Sequence, residues 1–275
     1  MSISFAKKVA KTIETFFFRF GNYNKYYGYR LPEKFSDERL AFMKEEWFKG
    51  KCVLDVGCNI GLVSLHIARH WHPQAVLGLD IDPNLVGIAR KNIRHYLDEL
   101  EGTKDDYPPS FPRQYGALSG PPLVQSKPDQ ASSSTHHFPY NISFKTGNYV
   151  VSSDEALSCC VPLYDCILML SITKWVQLNW GDAGLRRLFA RAFKELRPGG
   201  CLILEPQPFS AYKKRSKLAP EMLNHYRQIC LKPEQFSSYL LNEVGFASHA
   251  LCGLPEHKSK GFRRPIYIFW KSKSE

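Results

Sequence analysis

The chain has 275 residues, 44% of them hydrophobic, enough to bury one large α/β core. Its formal net charge of +11 points to a polyanionic partner, nucleic acid ahead of an anionic membrane. No apolar run is long enough to span a bilayer, and the eight scattered cysteines form no CxxC pair, so a transmembrane protein and a disulfide scaffold are both excluded and the thiols read as reduced and intracellular.

Residues 1–19 are apolar but interrupted by Lys7, Lys8, Lys11 and Glu14, which predicts an amphipathic N-terminal extension and not a signal peptide. One domain is expected over 20–275. It opens on a stretch dense in aromatic and basic side chains, Phe20 to Arg30. Cys52 to Val56 reads as a buried strand, followed by a glycine turn and a helix near 61–70. Ala75 to Leu79 is a second apolar run ending at Asp80, and Pro83 stands where a first-turn proline opens a helix, here running to about Leu100. Residues 102–139 are rich in Pro, Ser, Gly and Gln and predict a disordered insertion. Strands are expected at 142–145, 164–170 and 201–204, with a helix over 182–196 that Leu196-Arg-Pro-Gly-Gly200 ends. Helical stretches near 218–229 and 233–241 follow, then strands near 246–252 and 265–270. Strands alternating with helices give a doubly wound, mostly parallel seven-stranded sheet, and the last two strands, with no helix between them, form an antiparallel edge hairpin.

The sharpest motif is Asp55-Val-Gly57-Cys58-Asn59-Ile60-Gly61, between the first strand and its helix. Glycines there let the backbone turn sharply and approach a ligand at the carboxyl edge of the sheet. The G-x-x-x-G spacing differs from the G-x-G-x-x-G of dinucleotide folds, which cradles a pyrophosphate. S-adenosylmethionine (SAM) has no phosphate, and its ribose needs a carboxylate such as Asp80, with Ile81 placed to pack on the adenine. These features, with the Leu-Arg-Pro-Gly-Gly lead into a later strand, resemble the class I, Rossmann-like SAM-dependent methyltransferases. Asp55 has a plainer role open to it, orienting the loop through hydrogen bonds.

After the fourth strand, where methyltransferases acting on base amines often carry Asn/Asp-Pro-Pro-aromatic, this chain reads Leu170-Ser-Ile-Thr-Lys174-Trp175. A lysine there suits a phosphate as a point charge. Trp175 suits either a stacked base or the core. Aromatic and basic residues interleave around Lys25, Tyr26, Tyr27 and Arg30 and again over Tyr212, Lys213, Lys214 and Arg215, which suits single-stranded RNA. A third basic stretch, His257 to Arg264, precedes the last strand. His66 and His70 have helical spacing but no carboxylate or thiol cluster beside them, so no metal is expected.

The chain is similar to the Bin3 family of RNA methyltransferases. The resemblance rests on Gly21-Asn-Tyr through Tyr29-Arg30, Leu54-Asp-Val-Gly-Cys-Asn59, Asn141 to Tyr149, Leu170 to Trp175, Leu178-Asn-Trp-Gly-Asp182, Glu205-Pro-Gln-Pro-Phe209, Leu231 to Tyr239 and Ser259-Lys-Gly-Phe262. It implies transfer of a methyl group from SAM to the terminal phosphate of an RNA 5′ end. The acceptor it implies is the γ-phosphate of a 5′-triphosphate on a 7SK-like small nuclear RNA, with a 5′-monophosphate RNA or tRNA as the alternative. It implies SAM contacts at Tyr27, Arg39, Gly57, Cys58, Asn59, Asp80, Ile81, Asn148, Tyr149 and Leu170. Lys174, Tyr26 and Arg30 would act on the phosphate, and Lys25, Trp175, Tyr212, Lys213, Lys214 and Arg215 would hold RNA. A nuclear monomer (the cytoplasm being the alternative) with a La-related ribonucleoprotein as partner is implied too. A scaffold that keeps SAM or its product without turnover, and a methyltransferase for a small acid, stand as competing readings. A terminal phosphate has a second pKa near 6, so at neutral pH its oxygen is already a nucleophile and no general base is needed.

Overall fold

The computed structural model describes residues 19–22, 37–97, 137–257 and 259–273. Most of the expected N-terminal extension, most of the insertion, and Lys25, Tyr26, Tyr27 and Arg30 lie outside the described residues.

Seven strands form one sheet: β1 (Cys52–Val56), β2 (Ala75–Asp80), β3 (Ile142–Thr146), β4 (Tyr164–Leu170), β5 (Leu196–Glu205), β6 (Ser248–Gly253) and β7 (Ile266–Trp270). Their order is β3-β2-β1-β4-β5-β7-β6. The first five run parallel, while β7 is antiparallel to both β5 and β6, which is the expected edge hairpin. The central strands are continuous apolar runs because both faces are covered. Alternate residues divide between two cores: Val53, Cys166, Leu168 and Ile203 pack on one side with Val63 and Ile67, and Leu54, Ile167, Met169 and Leu202 on the other with Leu185 and Leu188.

Helix α1 (Leu62–His70) follows the glycine turn, and α2 (Pro83–His95) starts with Asp82 capping Asn84 N at 2.8 Å. That helix stops at His95, short of the expected Leu100. The short helix α3 (Asp154–Ser158) leads toward β4. The end of the expected insertion is ordered: Tyr140 N donates to His137 O at 2.8 Å, and Phe138 packs against the core.

Helix α4 (Thr173–Glu195) begins nine residues before the expected start and kinks at Gly181, whose φ of 63° only glycine adopts cheaply. The reason is that its first two turns have no single apolar stripe: Val176 and Trp180 pack on one core and Trp175 and Leu178 on another, with polar residues buried between them. Gln177 and Asn179 are buried there among hydrogen bonds to Leu231 O, Tyr212 Oη, Trp175 O and Arg19 O. Helix α4 stops where expected, with Leu196 as its C-cap, but Leu196 to Gly200 is already the first half of β5, which starts five residues before the expected Cys201 and pairs irregularly opposite Tyr164 and Cys166.

Helix α5 (Pro220–Gln228) packs along α4, and the kink is tied to its far end by Asp182. That carboxylate accepts from Cys230 N (2.8 Å), Leu231 N (2.9 Å) and Gln177 Nε2 (2.8 Å). We expect Asp182→Ala to lower stability by about 2–3 kcal/mol in urea unfolding, because it strands the Cys230 and Leu231 amides and removes one of the two acceptors of Gln177 Nε2. A loss under about 0.5 kcal/mol would show that water replaces all three.

Candidate active site

Strands β1 to β5 end on one edge of the sheet, and there a cavity of about 580 Å³ opens. Its size suits a ligand of cofactor dimensions. One end is built from the first two strand–helix turns. Gly57 N and Cys58 N donate to Leu79 O at 2.7 and 3.1 Å, which binds the β1 turn to β2. Gly57 (φ 76°) has no room for a side chain: a Cβ would stand 2.4 Å from Ile172 Cγ2. Asn59 is left-handed too, at φ 53°, and so the turn projects its backbone toward the cavity.

Asp80 ends β2 and is 6% exposed. Its carboxylate accepts from Asn59 N at 2.8 Å and Asp82 N at 3.0 Å, which fixes its plane. Two oxygens with about four acceptor positions retain capacity for vicinal hydroxyls. Burial pushes its pKa up, partly offset by the amide bonds. Asp55, which also lines the cavity, accepts from Ser64 Oγ at 2.6 Å, and burial pushes it up to about 6. The end of the cavity over these two turns thus has a buried carboxylate for a ribose and, among the described residues, no dinucleotide-type glycine cradle for a pyrophosphate. That donor set, and a turn that a Cβ would block, fit SAM.

The floor is a buried charge network. Arg39 (2% exposed) holds Asp37 with Nε at 3.0 Å and Nη2 at 2.7 Å, and reaches Glu205 Oε2 with Nη1 at 3.0 Å. Ser171 Oγ donates to the same Glu205 and accepts from Arg264 Nη1 at 2.6 Å. Gln207 Nε2 donates to Ser171 O, while its Oε1 accepts from Lys174 N at 3.2 Å.

The opposite end is cationic. Lys174, Arg215 and Arg264 all line the cavity, from the first turn of α4, the helical turn Tyr212–Arg215, and the loop before β7. Lys174 is 8% exposed, and among the described residues no carboxylate lies within ion-pair distance of it. Burial first, then Arg264 and Arg215, pull its pKa down to about 7. A buried ammonium beside two guanidinium groups is strained until an anion arrives.

Of the expected SAM contacts, Arg39, Gly57, Cys58, Asn59, Asp80, Ile81, Asn148, Tyr149 and Leu170 all line this one cavity. Tyr149 presents only its ring, since its hydroxyl donates to Glu195 Oε2 at 2.7 Å. Among the RNA residues, Arg215 and Trp175 line the cavity, and Lys213 and Lys214 are exposed outside it. Tyr212 is a correction. It is 0% exposed, packs with Leu178 and Met222, and donates to Gln177 Oε1 at 2.9 Å, so it offers no face to a base. Arg264, Ser171, Gln207 and Phe20–Asn22 also line the cavity; they fall within stretches the sequence marked, but none had been given a role of its own at the site. Among the described residues no three His, Cys, Asp or Glu side chains gather to hold a metal ion, and no helix is long and apolar enough to cross a membrane.

A mostly parallel seven-stranded sheet with an antiparallel edge, and a cavity over its first two turns, defines the class I methyltransferase fold. A methyltransferase-domain profile matches residues 53–112. The crystal structure of the N-methyltransferase NodS from Bradyrhizobium japonicum with S-adenosylhomocysteine superposes with a TM-score of 0.50 over 95% of this chain and 98% of that one, at 11% identity. Residues 164–271 match the profile of the Bin3 (Bicoid-interacting protein 3) family. The U6 snRNA methylphosphate capping enzyme Amus of Drosophila melanogaster is 40% identical over 93% of this chain and 75% of its own length. The 7SK snRNA methylphosphate capping enzyme of Mus musculus is 48% identical over 94% of this chain. Only 41% of that enzyme's length is matched, so the chain spans about two fifths of it. The chain belongs to the Bin3 family.

Proposed function

We propose that the protein transfers a methyl group from SAM to the terminal phosphate of an RNA 5′ end, the γ-phosphate of a small nuclear RNA triphosphate. The observation that carries this reading is the buried ammonium of Lys174, with no acid partner among the described residues, grouped with Arg215 and Arg264 at one end of the cavity whose other end fits the cofactor. The names of the capping-enzyme relatives support the same acceptor. Bound SAM supplies an electrophilic methyl carbon on sulfur. Asp80 would hold its ribose, and the Gly57–Asn59 turn would receive it at the cavity wall. Lys174 and the two arginines hold the phosphate and offset its repulsion while it approaches. A phosphate oxygen is ionised before it binds, so the residues align and no side chain has to remove a proton.

Tyr26 and Arg30 would add to the phosphate site, Tyr27 to the SAM site, and Lys25, Lys213 and Lys214 to the RNA path. A nuclear location, a La-related partner and a monomer belong to the same proposal.

The test presents labelled SAM and one short RNA with a triphosphate, a monophosphate or a hydroxyl at its 5′ end. We expect label on the triphosphate end and none on the hydroxyl end. Equal labelling of all three would overturn the reading, and transfer to the monophosphate alone would reassign the acceptor. A holder of SAM without turnover would bind label and pass none on.

A further inference from the structure

Among the described residues Lys174 has no acid partner, and a side chain that faces its ammonium is aromatic. The Lys174 Nζ stands 4.7 Å from the centroid of the Trp175 ring. A ring face attracts a cation through its quadrupole and more strongly once water is excluded. It does so without net negative charge. A carboxylate in the same place would neutralise the ammonium and repel an incoming phosphate, whereas an indole supports the cation and leaves it available.

The indole is itself held in place. Gly21 lies against it so closely that a Cβ would stand 2.2 Å from Trp175 Cε2 and Nε1, and the φ of 75° at Gly21 is one that glycine tolerates. The segment carrying Gly21 is fixed to α4 on one side and to α2 on the other. Arg19 Nε donates to Asn179 Oδ1 at 2.9 Å, and Asn179 Nδ2 donates to Arg19 O at 3.0 Å and to Trp175 O at 2.9 Å. Phe20 stacks on Trp180 with centroids 5.7 Å apart, and Asn22 Nδ2 donates to Asp82 Oδ2.

We propose that Trp175 is a positioning residue, its indole face holding the Lys174 ammonium at the phosphate end of the cavity and Gly21 fitting closely against the ring. This gives Trp175 a role other than stacking on an RNA base. It rests on the reading of Lys174 as the phosphate ligand. Among the described residues the charged groups that face Lys174 are Arg264, ahead of β7, and Arg215, after β5, and both disfavour its charge. Among those residues the indole is the contact that favours it.

The direct test labels lysine side chains with ¹³C at the ε position and follows the Lys174 signal against pH in the full chain. In Trp175→Leu we expect its midpoint, about 7 in the parent protein, to fall by about one pH unit. Trp175→Phe, which keeps a smaller ring, should restore part of the shift, and Gly21→Ala should lower the midpoint in the same direction. Alongside, kcat/KM for triphosphate-ended RNA should drop about tenfold in Trp175→Leu with the dissociation constant for SAM unchanged. An unmoved Lys174 midpoint in both Trp175→Phe and Trp175→Leu would overturn the proposal. So would equal weakening of triphosphate-ended and hydroxyl-ended RNA, the mark of a base platform. Because the titration needs no turnover, it separates a failure here from a failure of the phosphate reading, which would appear as parent protein that leaves phosphate ends unmethylated.

Discussion

Lys174→Met lowers kcat/KM on triphosphate-ended RNA by about two to three orders of magnitude, while the dissociation constant for SAM stays within about twofold. Methionine keeps most of the volume and removes the charge. The cofactor end of the cavity is built from β1 and β2, whereas Lys174 is on α4, after β4. Loss of the ammonium therefore removes a group facing the developing transition state and none that faces the ribose. The same change should leave the melting temperature unchanged or raise it by about 2–4 °C, since a buried cation with no acid partner costs stability in the free protein. Lower activity with preserved or higher stability is the signature of a functional charge. Steady-state kinetics, calorimetry with SAM and a thermal melt measure all three. A variant that keeps full turnover would remove Lys174 from the phosphate site.

Asp80→Ala fails in the opposite way. The dissociation constant for SAM should rise about 100-fold, because two charge-assisted hydrogen bonds to the ribose are lost. The turn suffers as well: Asn59 N and Asp82 N, now at 2.8 and 3.0 Å from the carboxylate, lose their acceptor. Binding of RNA without cofactor should stay as it is. Asp80→Asn, which keeps an acceptor oxygen, should fall between the two. If the alanine variant bound SAM as well as the parent, the cofactor would lie elsewhere in the cavity.

The cofactor end was legible because its signals are local. Strand, glycine turn, helix and acidic strand end follow one another within residues 52–80, and each is visible from apolar runs and glycine spacing. The phosphate end was legible only where it shares that locality, at Lys174 after β4. Arg264 was missed as a single residue because its place depends on distant pairing. β7 enters between β5 and β6 antiparallel to β5, with Leu204 opposite Tyr267, so the start of β7 comes to the carboxyl edge where the cavity opens. Nothing near residue 264 in the sequence reports that insertion. Tyr212 misled for a related reason. Its basic neighbours suggested a surface, but the turn Tyr212–Arg215 directs Lys213 and Lys214 outward and the phenol into a pocket closed by Leu178 and Met222. The start of α4 was hidden because buried Gln177 and Asn179 break the amphipathic pattern that marks a helix.

Everything specific to the acceptor rests on the buried Lys174 grouped with Arg215 and Arg264 at the cavity. Burial and the two arginines pull its pKa down to about 7, so above neutral pH the free protein holds it largely neutral, while a terminal phosphate is already a dianion. Phosphate binding should therefore draw a proton from solvent. Calorimetry of a short triphosphate-ended RNA at pH 8, in two buffers of different ionisation enthalpy, reads that proton directly. We expect net proton uptake on binding in the parent protein and close to none in Lys174→Met. Binding with no proton uptake in the parent, or the same uptake in both proteins, would contradict the account.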